Sequence, residues 1–141
     1  MLCMNTEIIS RVSKATLAGE IAFPELVQLL LAAGVEYYHI DYVGGRKRFY
    51  GAGDEVVETP ITFENLPPVA AEFNQPAVKA AIVDSQLHGQ KYRPFTERAM
   101  RAGVIGYYAF LTGGCVTYLG RLGCQHTEWF PGRGPEAEKS E

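Results

Sequence analysis

The sequence predicts an α+β domain: two pseudo-symmetric ααβββ repeats whose strands join in one mainly antiparallel sheet with the helices on one face. Three observations carry this reading. Ala33-Gly34-Val35-Glu36-Tyr37-Tyr38 returns about 69 positions later as Ala102-Gly103-Val104-Ile105-Gly106-Tyr107, and at the same spacing Gly44-Gly45 falls on Gly113-Gly114, Phe49 on Tyr118 and Gly51 on Gly120. Proline and glycine bracket four apolar-periodic stretches, as helix starts and stops do. Alternation of apolar and polar residues on either side of each Gly-Gly pair marks two hairpins.

A repeat at this period makes each copy a supersecondary unit that buries its apolar face against the other. The predicted domain spans 1–131, with copies at about 5–60 and 74–131 and a linker at 61–75 containing Pro67-Pro68. The tail 132–141 is rich in Gly, Pro, Glu, Lys and Ser and reads as disordered.

In the first copy, Thr6 is the expected N-cap of a helix carrying Ile8, Ile9, Val12 and Leu17 before Gly19. Pro24 opens a second helix with Leu26, Leu29, Leu30 and Ala33 at helical spacing, and Gly34 supplies a left-handed stop. The second copy repeats this with Pro76, Val78, Ala81 and Ile82 before Gly89, then Pro94, Phe95, Ala99 and Ala102 before Gly103. Two-residue turns at the paired glycines would set Ile40 opposite Phe49, Ala109 opposite Tyr118, Asp41 opposite Arg48 and His39 opposite Tyr50. Alternation then turns Tyr38, Ile40, Tyr42, Phe49, Tyr107, Ala109, Leu111, Val116 and Tyr118 toward the helices. Tyr37, His39, Asp41, Arg48 and Tyr50 face outward in one half; Tyr108, Phe110, Thr112, Thr117 and Leu119 do so in the other.

The chain is long enough for one well-buried core. Its net charge of −3 argues against a surface built generally for nucleic acid. No run of about 18 apolar residues is present, so no membrane contact is expected. The start Met1-Leu2-Cys3-Met4 lacks a secretory pattern, and three cysteines without CxxC spacing suit a reducing, cytoplasmic setting.

Gln86-Leu87-His88-Gly89-Gln90-Lys91-Tyr92, Phe95, Ala102-Gly103-Val104, the tract Val116 to Gly120 and the ending Thr127-Glu128-Trp129-Phe130-Pro131 resemble a small bacterial and prophage family. That family is the domain of unknown function 1398, with YdfO-like and YbcV-like members, some labelled phage envelope protein. The resemblance spans roughly residues 5 to 131 and implies an α+β fold with no established activity or cofactor. Related sequences tend to carry an acidic residue where Lys91 precedes Tyr92 here. The family's histidine near the end carries over to His126.

Two constellations could hold chemistry. Cys124, His126 and Glu128 alternate, and thiolate, imidazole and carboxylate are zinc-ligand types. His39 and Asp41 show the same spacing and could join them in a catalytic or metal site if the strands lay side by side. Yet i, i+2 residues on one strand stand nearly 7 Å apart at Cα, so convergence needs a bulge or another strand. The expectation is therefore no metal and no cofactor, with Asp41 and Arg48 as an ordinary cross-strand pair. Arg46-Lys47-Arg48 among Tyr37, Phe49 and Tyr50 could track a single-stranded nucleic acid. Asp54, Glu55 and Glu58 follow closely and argue against it.

The preferred function is a non-catalytic interaction or ligand-binding module working through the outer sheet face. Tyr108, Phe110, Leu119 and Trp129 form its interaction surface, suited to a homodimer or protein partner and open to a small molecule. The alternative is a metal-binding protein or enzyme centred on His126, Glu128, Cys124, His39 and Asp41.

Overall fold

The computed structural model describes residues 3–135. Asn5, one residue before the expected Thr6, caps α1 (Thr6–Leu17): its side-chain oxygen accepts from the Ile8 amide at 3.1 Å. Thr6 already has helical geometry and forms the first residue of the turn. α2 (Phe23–Ala32) carries Pro24 in its first turn, where a missing amide hydrogen is harmless. Three strands follow: β1 (Val35–Asp41), β2 (Arg46–Gly51) and β3 (Val56–Pro60). The chain then forms α3 (Gln75–His88), capped by Asn74, and α4 (Tyr92–Arg101), which starts two residues ahead of Pro94. β4 (Val104–Phe110), β5 (Cys115–Gly120) and β6 (Gln125–Trp129) complete it.

All six strands form one antiparallel sheet in the order β3-β2-β1-β4-β5-β6. β1 and β4 are therefore the central pair, each flanked by its own hairpin partner and then by an edge strand. Gly106 permits the close central approach, since a methyl group there would sit 2.1 Å from the Ile40 carbonyl oxygen. The helices cover one face. Ile9 and Leu30 from the helices pack with Ile40, Phe49, Ala109 and Val116 from the strands in one core. Segment 61–74 closes one side of this layer: Val69 is buried, and the Ala70 and Asn74 amides donate to the Met100 and Ala102 carbonyls. No helix among the described residues is long and apolar enough to cross a membrane.

The hairpin register differs from the expected one by two residues. Asp41 pairs with Arg46, His39 with Arg48, Ile40 with Lys47 and Tyr38 with Phe49; in the second hairpin Ala109 pairs with Val116 and Tyr107 with Tyr118. Four residues, not two, span each turn, and only the second glycine of each pair, Gly45 (φ 69°) and Gly114 (φ 82°), is left-handed. The physical reason lies in Asp41, whose Oδ1 accepts from the Gly44 amide at 2.8 Å while its carbonyl accepts from Gly45 at 2.9 Å. This local capping widens the loop. A slip of two preserves every side chain's face, so Tyr38, Ile40, Tyr107 and Ala109 still point at the helices.

Of the tail, residues 132–135 are described: Arg133 donates to the Thr112 carbonyl at 3.0 Å, and Gly134 lies against the Trp129 ring. The remainder of the expected disordered tail lies outside the described residues.

Candidate functional site

Two surfaces concentrate chemistry, one on each face of the sheet. On the open face the aromatic side chains form a row across three strands, β2, β1 and β4. Tyr50 stacks on Tyr37 with centroids 4.7 Å apart and planes 10° apart. Tyr37 approaches Phe110 at 6.1 Å, Phe110 stacks on Tyr108 at 5.8 Å, and Tyr108 stacks on His39 at 4.3 Å. All five rings are half-buried. Offset stacking of this kind holds rings rigid while leaving their outer surfaces free.

Beside the row, Glu36, Tyr37, Phe110, Thr112, Cys115 and Trp129 line a groove of about 440 Å³. Trp129, on edge strand β6, forms one wall and is 43% exposed. Leu119 lies farther along β5 on the same face, opposite Gly106. Burial pushes the Cys115 thiol up, against the opposing pull of Arg133, so this sulfur is not an activated thiolate. At the other end of the face Glu58 receives Arg48 at 3.0 Å and Arg46 at 3.6 Å. Asp41 does not pair with Arg48 as expected, because Arg46 stands opposite it and its carboxylate caps the turn. Burial lowers the His39 pKa, with Arg48 adding to the effect and Asp41 opposing it, which favours a neutral ring against Tyr108.

The candidate metal constellation is dispersed. Cys124 lies in the exposed turn ahead of β6, outside the strand that was to align it. His126 and Glu128 project to the helix-covered side, since they pair with inward-facing Tyr118 and Val116. His39 and Asp41 lie on β1, with β4 and β5 between it and β6, and on the opposite face. Among the described residues no group of three His, Cys, Asp or Glu side chains could hold a metal. His126 and Glu128 do meet: Nε2 and Oε2 are 3.0 Å apart, Gln75 from α3 lies 3.0 Å from Nδ1, and Lys79 pairs with Glu128. Burial raises the Glu128 pKa, but the hydrogen bonds and charges of Lys79 and His126 outweigh it and the net shift is downward. Every polar group here has its partner, which makes the cluster an anchor between α3 and the edge strand.

The covered face holds a residue that the sequence reading passed over. Lys47 is only 2% exposed. Its ammonium donates to the Ser13 carbonyl of α1 at 3.2 Å and lies 5.3 Å from the centre of the Tyr92 ring of α4. No ion pair to it forms among the described residues. Burial alone pushes its pKa down to about 7. Tyr92 in turn meets Tyr107, their hydroxyls 2.9 Å apart, and Tyr38, Tyr42, Tyr107 and Tyr118 are all buried phenols of the same core. Desolvation holds the pKa of all these phenols above the ordinary tyrosine range. The signal was available: the alternation that turns Phe49 inward also turns Lys47 inward. The flanking Arg46 and Arg48 disguised it as part of a solvated basic run.

Lys91 donates to the Gly19 carbonyl at 2.8 Å. A cation suits that position, just past the C-terminus of α1. Residues 7–124 match the family described as Protein of unknown function (DUF1398). No match to a curated protein was found.

Proposed function

Because the chain belongs to the DUF1398 family, a family defined without an activity, we propose that it works as a binding module whose uncovered sheet face receives a planar, largely apolar ligand. The observation behind this reading is the pre-stacked row Tyr50, Tyr37, Phe110 and Tyr108, whose middle members Tyr37 and Phe110 line the Trp129 groove. A ring added to such a row meets aromatic faces that lose little freedom on binding. The groove falls within the size range of small-molecule sites, about 300–1,000 Å³.

A homodimer through the same face is the second reading, favoured by exposed Val56 and Trp129 at its two edges. The shared order of two helices and three strands in each half further supports descent by internal duplication, with the outer face specialised differently in the two copies.

Trp129 is the single tryptophan, so its fluorescence reports occupancy of the groove. Titration with a flavin and with a nucleoside as flat probes should give a saturable change that Phe110→Ala abolishes. Absence of any change with either probe, together with monomeric sedimentation at high concentration, would remove both readings.

A further inference from the structure

We propose that Lys47 is an imine-forming lysine and that the cleft between α1 and β3 admits the small aldehyde or 2-oxo acid with which it condenses. This site lies on the opposite side of the sheet from the aromatic row and stands independently of it.

The cleft encloses about 420 Å³ and is lined by Ser10, Ser13, Lys14, Thr59 and Phe63 among others. Its inner wall is the Ser13–Thr59 pair, whose hydroxyl oxygens are 2.8 Å apart. Lys47 lies immediately behind that wall. It is the cross-strand neighbour of Thr59, and its amine is bonded to the carbonyl of the same Ser13. One hydroxyl pair thus separates a buried amine from a cavity large enough for a small metabolite. Parting it costs one hydrogen bond between groups that the cleft itself can solvate.

The surroundings suit the chemistry. From α1, β3, α4 and β1 the groups packed around the amine are Ser13, Thr59, Tyr92 and Ile40, and none is a carboxylate. An amine without a counter-ion is about half neutral near pH 7, and that fraction has its lone pair available. That lone pair attacks the carbonyl carbon, forming the C–N bond while the C=O π electrons move to oxygen, which takes a proton. The nitrogen then gives up a proton and the hydroxyl group leaves as water, so amine plus carbonyl become imine plus water with no oxidant or reductant required. The hydroxyls of Ser10 and Thr59 line the path for these protons. Lys14 at the lining supplies a positive charge for the carboxylate of a 2-oxo acid, and Glu58, which also lines the cleft, is neutralised by its pairs with Arg46 and Arg48.

The test uses the full chain, glyoxylate and cyanoborohydride near pH 7, with adduct positions read by peptide mass spectrometry. Lys47 should be modified at least tenfold faster than the exposed Lys14, Lys79 and Lys91. Its rate should level off above about pH 7, whereas the exposed lysines keep accelerating toward about pH 10. The preference should vanish in denaturing urea, and Ser13→Ala, which opens the wall, should speed Lys47 modification. Lys47→Met should remove the fast adduct and leave the slow ones unchanged. A Lys47 peptide that stays unmodified while Lys14, Lys79 and Lys91 react would overturn the proposal. Modification of Lys47 with the pH profile of a surface lysine would do the same.

Discussion

β2 and β5 hold the same station in the sheet, each lying between one of the central strands and an edge strand, yet they bury different chemistry at the same place. The second residue of β5 is Val116, set between Ala109 and Glu128. The second residue of β2 is Lys47, set between Ile40 and Thr59. In the β5 corner the edge strand contributes a carboxylate, and α3 answers it with Lys79. In the β2 corner the edge strand contributes a neutral hydroxyl, bound to Ser13 of α1. The difference teaches that the architecture accommodates a plain aliphatic side chain at this station. A buried ammonium without a carboxylate is then an addition that works against stability, and residues of that kind concentrate at functional sites.

The largest expected effect comes from making the two corners alike. Lys47→Met should raise stability at pH 7, because it removes a desolvated amine and keeps its volume. The pH dependence identifies the cause. The folded-state pKa of Lys47 is about 7, against an ordinary 10.5. Between those values the unfolded chain holds a proton that the folded chain does not, so stability rises with pH. The slope approaches about 1.4 kcal/mol per pH unit between about pH 8 and 9, below the pH at which the buried phenols, whose folded-state pKa values are raised, pull stability down. Urea denaturation across this range should show the rise in the natural chain and a nearly flat line in the variant. A variant less stable than the natural chain at every pH would break the comparison.

Next in size is Thr59→Asp, which gives the β2 corner the acidic edge residue that the β5 corner has. A carboxylate beside Lys47 favours the ammonium, so the pKa of Lys47 should move up and the stability rise should shift to higher pH by about one to two units. The same urea series measures it. An unchanged pH profile would show that Lys47 and Thr59 are not electrostatic neighbours.

In the β5 corner His126→Ala should cost about 1 kcal/mol, the scale of one or two partly exposed hydrogen bonds lost from Gln75 and Glu128. Thermal denaturation reads it, and a loss several times larger would point to a role beyond anchoring α3. The smallest effect belongs to Arg48→Ala on the open face. Its pair with Glu58 is largely exposed and should contribute no more than about 0.5 kcal/mol, less in high salt.

Much of the fold was legible because the signals are local. Pro24 and Pro76, and the left-handed glycines at 34, 89 and 103, mark helix ends through backbone geometry that no distant residue can alter. The candidate site was less legible. His126 and Glu128 were read as alternating with Cys124 on a strand, and the turn that leaves Cys124 outside β6 is visible only in the coordinates. The Trp129 groove needed Tyr37, Phe110 and Trp129 on three strands, β1, β4 and β6, to lie side by side across the intervening β5.

The sequence by itself determined where the helices lie, which segments alternate, and which face of the two hairpins the named residues occupy. Alternation is a property of a single strand with period two, and it survived a two-residue error in register. Only the tertiary structure decided that β1 meets β4, that His39 and His126 are separated by two strands and by the thickness of the sheet, and that Asp41 spends its carboxylate on a turn. It also decided the state of Lys47. Facing inward follows from the strand alone, but losing its water depends on α1 and α4 closing over it without a counter-ion. That depends on what distant segments bring, and no local pattern encodes it.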